Sequence, residues 1–488
     1  MTNLKNKKLY FIIFLIAILG LSYPLYKERI QGDNKPVLAN IDEEVEALFP
    51  HPNNTFYQMG IYLDTNNNII YGNSILNTKN TSQKTLTELW FTLYPNAFKN
   101  ARMTPAPNNA YYAGFDDGWL EFTEVRVNGE EVSYNEEGVS AEVILKEQLL
   151  PGEDIIVEIN WIAKVPQVAY RFGTKNQTYM LGNFYPTLDV LGEEWHNSYN
   201  SLFGDPFCFH TANYLVRLNV PQGFDVAATG KVTQKLIEDA GRVIYMIEAN
   251  KVRDFSLAVL HNYAQTTRDS GQTLINIYTP YNYENQALDI VNDAINMLNY
   301  YAYQFGSYPY EDFKIVFVPM QGFHGMEYTG LIFLRDEFLQ KKYPDKQSEF
   351  ILAHEIAHQW WYSLVGNDQL KEPWLDEGLA SWSAYKFLEQ VKGQKAPTAQ
   401  QYKNTVNLAK ELRDIYSTPE YYLTAYTGGE AFWFHLEAEL GQEKVFQILR
   451  AYLAEYKYRI ATTEDLFNLI RREADQDMEG FLSKWFNP

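Results

Sequence analysis

The stretch His354-Glu355-Ile356-Ala357-His358, followed after eighteen residues by Glu377 within Trp374-Leu375-Asp376-Glu377-Gly378, decides how this chain is read. Histidines four positions apart share one face of a helix. Two imidazoles there, joined by a carboxylate from a second helix, make a donor set that suits zinc. Three protein ligands leave a fourth position for water, the arrangement of a catalytic rather than a structural site. Glu355, beside the first histidine, is placed to take the proton of that water. The bland alternative is a solvated His/Glu face on a long helix. Against it, the chain has only 8 His and two fall in this pattern. Phe350, Ile351, Ile356, Ala357, Trp360 and Trp361 flank the pattern, so the helix is expected to be buried, where unpaired His and Glu are costly.

Working outward, hydrophobic spacing predicts a helix over 345–364 with an N-cap at its start and Gly366 beyond its end. Pro373 opens the next helix, where proline is tolerated. Residues 285–303 have the spacing of an amphipathic helix, and 313–320 and 331–334 read as strands. From about 398 onward the pattern is helical. Strands with helices around H-E-x-x-H predict an α+β domain. Residues 55–260 instead show short strands and turns, with candidates at 57–63, 69–76, 89–94, 155–161, 214–220, 243–248 and 255–260. Asp64-Thr65-Asn66-Asn67-Asn68 between the first two predicts a hairpin-like turn. An all-β sandwich or set of curved sheets follows. The polar stretch 262–272 marks the boundary, giving a β-rich domain over 49–264 and a catalytic domain over 265–488.

A chain of 488 residues supports two or three domains. The net charge of -20 argues against nucleic acid or anionic lipid as partners. Cys208 is the single cysteine, which excludes an internal disulfide and a cysteine-based zinc site and leaves it as a small buried apolar side chain. Lys5, Lys7 and Lys8 precede an apolar run over 9–25, which reads as a secretory signal or an uncleaved signal-anchor within 1–30. A polar linker follows over 31–48. The expected location is the cell membrane, single-pass with the catalytic domain outside, or secreted if the segment is cleaved.

The H-E-x-x-H, eighteen residues, E pattern within W-L-x-E-G resembles the aminopeptidase N family of zinc metallopeptidases. Gly325-Met326-Glu327-Tyr328-Thr329-Gly330-Leu331-Ile332 is similar to that family's G-x-M-E-N-W-G-L-I segment. Val252-Arg253-Asp254-Phe255 resembles the close of its N-terminal β domain, and Tyr426-Thr427-Gly428-Gly429-Glu430-Ala431 resembles the segment carrying its catalytic tyrosine. The resemblance implies a saddle-like β domain followed by a thermolysin-like α+β domain. It implies one zinc per chain on His354, His358 and Glu377, which would lower the pKa of its water. Glu355 would then be general base, and Tyr426 would donate a hydrogen bond to the oxyanion. The residue-level alternative for Tyr426 is a core tyrosine. Glu327 would pair with the free amino group of a peptide substrate, with Gly325 and Met326 lining the peptide main chain; the alternative for Glu327 is an exposed loop carboxylate. Tyr328 stands where the family has Asn, His324 where it has Gly, and Gly428 where it has Lys. The chain is expected to end without the family's large C-terminal helical domain, leaving a more open cleft. Aminopeptidase action on peptides is the expected function. The alternatives are a zinc endopeptidase and a non-catalytic peptide-binding protein on the same fold.

Overall fold

The computed structural model describes residues 55–486 apart from 193, 197, 239–240, 341–342 and 403–405. The expected anchor and linker over 1–48 lie outside the described residues. Thr55–Asp64 and Ile69–Lys79 form the hairpin that the turn residues predict, with Asp64 Oδ1 accepting from the Asn66 amide at 2.9 Å. They lie inside an eight-stranded sheet ordered Lys231–Glu238, Arg242–Val252, Ala212–Pro221, Thr55–Asp64, Ile69–Lys79, Asp154–Lys164, Trp119–Val127, Glu130–Glu131. Two four-stranded sheets, one centred on Leu257–His261 and Thr178–Leu181, the other on Leu86–Thr92 and Ser140–Leu149, complete the β-rich part. Alternate residues such as Met59, Ile61, Val157, Ile159, Val216 and Leu218 point into one core shared with Phe91, Val143 and Val259.

The second part is the α+β arrangement read from the sequence. Its five-stranded sheet runs Tyr263–Asp269, Leu274–Pro280, Asp312–Val318, Leu331–Arg335, Gly325–Met326. The three inner strands are parallel and the two edges antiparallel. Around it lie α1 (Glu284–Gln304), α2 (Lys346–Ala357), α3 (Trp374–Gln390), α4 (Gly429–Leu440), α5 (Gln442–Tyr456), α6 (Thr463–Glu473) and α7 (Glu479–Phe486). Trp360, Trp374, Trp382 and Trp433 fill the core between them.

Two expectations need correction. The polar stretch taken as the domain boundary is itself the edge strand Tyr263–Asp269, polar because its outer face meets water. The helix expected to reach 364 ends at Ala357, with His358 as its C-cap. The chain then turns sharply, Tyr362 adopting φ 137° and its amide bonding Val365 O at 2.9 Å. The apolar run Trp360–Val365 carries no helix breaker, so its spacing alone gave no warning.

Arg253 and Asp254 join the two parts. The buried Arg253 guanidinium donates to the carbonyls of Phe209, Tyr362, Leu364 and Arg459. Asp254 accepts from the Thr329 amide at 2.9 Å and from the Tyr362 hydroxyl at 2.7 Å. These bonds fix both the turn behind α2 and the segment after Glu327, the two walls of the site.

Candidate active site

Helix α2 starts at a capping box: Asp345 accepts from the amides of Gln347 and Ser348 at 2.9 and 3.1 Å, and Ser348 Oγ accepts from the Asp345 amide at 3.2 Å. Its last turn presents His354 and His358 toward α3, where Glu377 lies in the first turn. His354 Nε2 stands 3.1 Å from Glu377 Oε2, His358 Nε2 stands 3.4 Å from it, and the two Nε2 atoms are 3.0 Å apart. Tetrahedral zinc with bonds of 2.0–2.1 Å places its donor atoms about 3.3 Å apart, so the three side chains fit the ion as they stand.

Proton positions point the same way. His358 Nδ1 donates to Trp361 O at 2.9 Å, and His354 Nδ1 faces Ser381 Oγ at 3.3 Å. In the metal-free protein the Nε2 atoms donate to Glu377; with the ring proton kept on each Nδ1, both Nε2 lone pairs and the carboxylate would converge on one cation. Burial opposes charge on His358, yet hydrogen bonding to Glu377 and the charge of Glu327 hold its pKa well above the usual value. Burial works against the Glu377 carboxylate too, but the hydrogen bonds from His354 and His358 keep it strongly acidic.

Glu355 is buried, and burial pushes its pKa up to about 8. Its carboxylate lies flat against Gly325: a Cβ there would stand 2.2 Å from Glu355 Oε1. Glu327 is buried rather than exposed, and burial together with Asp205 raises its pKa well above the ordinary range. It follows the edge strand Gly325–Met326, both of whose residues are buried. Tyr426 lies in the π-helical turn Tyr422–Gly428, and its hydroxyl donates to Glu377 Oε1 at 2.6 Å. Burial and the neighbouring Glu377 charge keep that hydroxyl protonated, so it remains a donor. His354, Glu355, His358, Glu377, Gly325, Glu327 and Tyr426 therefore lie close together, whereas Met326 is buried in an apolar cluster with Met180, Val316 and Phe333.

Others were not foreseen. Asp205, from the β-rich part, is buried and ion-paired with the buried Arg171, and its charge acts on Glu327, Glu355 and Tyr426. Arg171 interrupts the apolar run Val168-Ala169-Tyr170-Arg171-Phe172, the one signal that could have exposed the pair. Tyr421 reaches Glu377 Oε1 at 3.3 Å. Asp376 accepts from Asn367 and Gln369 at 3.0 and 2.7 Å, and burial raises it to about 7. Tyr328, the departure from the family segment, turns its ring away against Gly182, while its carbonyl accepts from Gln359 at 3.1 Å.

A zinc-fitting pocket on a β-rich plus α+β frame defines the metallopeptidase class. Residues 287–485 match the model of the peptidase family M1 domain, which supports the resemblance to the aminopeptidase N family of zinc metallopeptidases. Aminopeptidase M1-B of Oryza sativa subsp. japonica is 24% identical over 302 residues, 56% of this chain and 34% of that protein. Leukotriene A-4 hydrolase of Xenopus laevis is 23% identical over 378 residues, 71% of this chain and 60% of that protein. The chain thus spans about a third of the rice aminopeptidase. Among solved structures, a mutant M1 zinc metallopeptidase from Deinococcus radiodurans shares the fold with a TM-score of 0.66, 17% identity, and coverage of 89% of this chain and 94% of that one. A mutant of that protein has also been crystallised bound to a Tyr-Ser-Ala substrate.

Proposed function

We propose that the chain is a zinc-dependent aminopeptidase that removes N-terminal residues from peptides. The carrying observation is Glu327, a buried carboxylate with no hydrogen-bond partner among the described residues, beside the zinc-fitting trio. Asp205, Glu355, Asp376 and Glu377 are buried around the same pocket. A dication balances part of this charge, and a substrate ammonium set against Glu327 balances more. An N-terminus held there is fixed in register with the reacting carbonyl. The Gly325–Met326 edge strand offers main-chain hydrogen bonds to the extended peptide. The Tyr-Ser-Ala substrate of the Deinococcus radiodurans relative is a free-amine peptide of this kind.

His354, His358 and Glu377 would hold the zinc. When bound, zinc supplies Lewis acidity that brings a water near neutral pKa and polarises the scissile carbonyl. Glu355 takes the proton of the attacking water and returns it to the leaving amine. Glu355, raised by burial, would be brought back toward the carboxylate form near neutral pH by a zinc ion held beside it. Tyr426 donates its hydroxyl proton in a hydrogen bond to the oxyanion, turning from Glu377 as negative charge develops.

Purified full chain supplied with zinc is expected to hydrolyse aminoacyl chromogenic substrates and to leave an N-blocked, internally quenched peptide intact. Cleavage of the blocked peptide at a comparable rate would identify an endopeptidase instead, and inactivity on both would support the non-catalytic reading. No helix among the described residues is long and apolar enough to cross a membrane. We further propose that Lys5, Lys7, Lys8 and the apolar run after them direct the chain into or across the membrane, with the catalytic part outside. Protection of the chain from protease added to intact cells, without release into the medium, would contradict this.

A further inference from the structure

We propose that His196, Cys208 and Asp368 form a second zinc site, one that ties the β-rich part to the loop between α2 and α3. One ligand atom from each of the three lies within 4.8 Å of the others. His196 Nε2 and Asp368 Oδ1 are already 2.9 Å apart, and Cys208 is buried beside them. Zinc–sulfur and zinc–nitrogen bonds of 2.3 and 2.0–2.1 Å set S and N about 3.5 Å apart, so closure by about 1 Å completes the set. Thiolate, imidazole and carboxylate together suit zinc. A single cysteine does exclude a site built of cysteines, but not this mixed one.

The surroundings are those of a ligand histidine. His196 Nδ1 faces Ser198 Oγ at 3.4 Å, and Ser198 in turn hydrogen-bonds Asp189 and Thr92. In the metal-free protein His196 Nε2 donates to Asp368 Oδ1; with the ring proton instead on Nδ1, bonded to Ser198 Oγ, the Nε2 lone pair would face Cys208 and Asp368. Asp368 is equally fixed: its Oδ1 accepts from the amides of Leu370 and Lys371 at 3.1 and 3.2 Å. The Lys371 ammonium lies 3.5 Å from Oδ2 on a half-exposed side chain that is free to swing outward. The Gln369 amide bonds Phe207 O at 3.2 Å, so the same loop already touches the residue next to Cys208. On binding, the Cys208 thiol gives its proton to water and its sulfur bonds the metal.

The test is metal stoichiometry of the full chain, purified with zinc and dialysed. Wild type is expected to hold two zinc ions per chain, Cys208→Ser one, and His358→Ala one. Cobalt(II) replacement is expected to give a near-ultraviolet thiolate charge-transfer band in wild type and in His358→Ala, absent in Cys208→Ser. The first site contains no sulfur, so the wild-type band reads the second alone even if a variant fails to fold. One zinc in wild type without a thiolate–cobalt band would overturn the proposal and leave Cys208 a buried apolar side chain.

Discussion

Replacing Gly378 with alanine is expected to uncouple Tyr426 from Glu377 while leaving zinc bound. Gly378 follows Glu377 in α3, and Gly429 follows the π-helical turn that carries Tyr426. The two glycines meet main chain to main chain: a Cβ on Gly378 would stand 2.4 Å from Gly429 Cα, and one on Gly429 would stand 2.6 Å from Gly378 Cα. Carbon atoms rest about 3.5–4.0 Å apart, so the segments must part by about 1–1.5 Å. Neither contact is the end of a flexible side chain, so none can swing aside. Overpacking of this kind costs about 1–3 kcal/mol, a melting-point loss of about 2–10 °C in a domain of this size. The same displacement takes the 2.6 Å Tyr426–Glu377 hydrogen bond beyond hydrogen-bonding range. Loss of one oxyanion donor lowers kcat by about 10²–10³. Steady-state hydrolysis of an aminoacyl chromogenic substrate should show that fall in kcat with KM little changed, and metal analysis should show unchanged zinc at the trio. A lowered melting point with wild-type kcat would refute the reasoning. Loss of that zinc would show that the glycine contact holds Glu377 rather than Tyr426.

Glu355→Gln should keep zinc and lower kcat by about 10²–10⁴, the range for a lost general base; near-normal turnover would remove the assignment. Gly325→Ala puts a methyl 2.2 Å from Glu355 Oε1, so it should lower kcat about tenfold or more with little change in melting point, because a side-chain end gives way. An unchanged kcat would mean that the Glu355 position is not critical. Burial, against the pull of Arg126, raises Glu158 in the eight-stranded sheet to about 7. Its folded pKa lies above its unfolded value, so its contribution to stability is full below about 4.5 and is lost as pH rises through about 7. Glu158→Gln should therefore gain about 1 kcal/mol on wild type between pH 5 and pH 8 in denaturant titrations, and equal pH dependence in both would contradict the shift.

What the sequence disclosed was local in spacing. His354 and His358 are one helical turn apart, and Glu377 follows at a distance that one loop and one helix start can bridge, so the donor set was visible before any fold. The hairpin around Asp64–Asn68 and helix α1 were visible for the same reason. The contributions that stayed hidden are non-local. Asp205 reaches the pocket only because the β-rich part folds against the catalytic part, and nothing near it in sequence marks that meeting. The polar stretch that holds Tyr263–Asp269 reads as a domain boundary because an edge strand with one wet face is polar in composition. The end of α2 at His358 depends on bonds from Arg253 and Asp254, about a hundred residues upstream, that stabilise a turn which local propensity does not favour. His196, Cys208 and Asp368 are each unremarkable in sequence and meet only at the junction.

The central claim is that Glu327 reads the free amine of a peptide. The direct measurement is kcat/KM of wild type and Glu327→Gln on a dipeptide amide with a free amino group and on its N-acetylated counterpart. Replacing a buried ion pair by a neutral contact costs about 2–3 kcal/mol, or about 30- to 150-fold. That loss is expected on the free-amine substrate only, with any residual turnover of the acetylated one unchanged. Equal losses on both, or no loss on either, would contradict it.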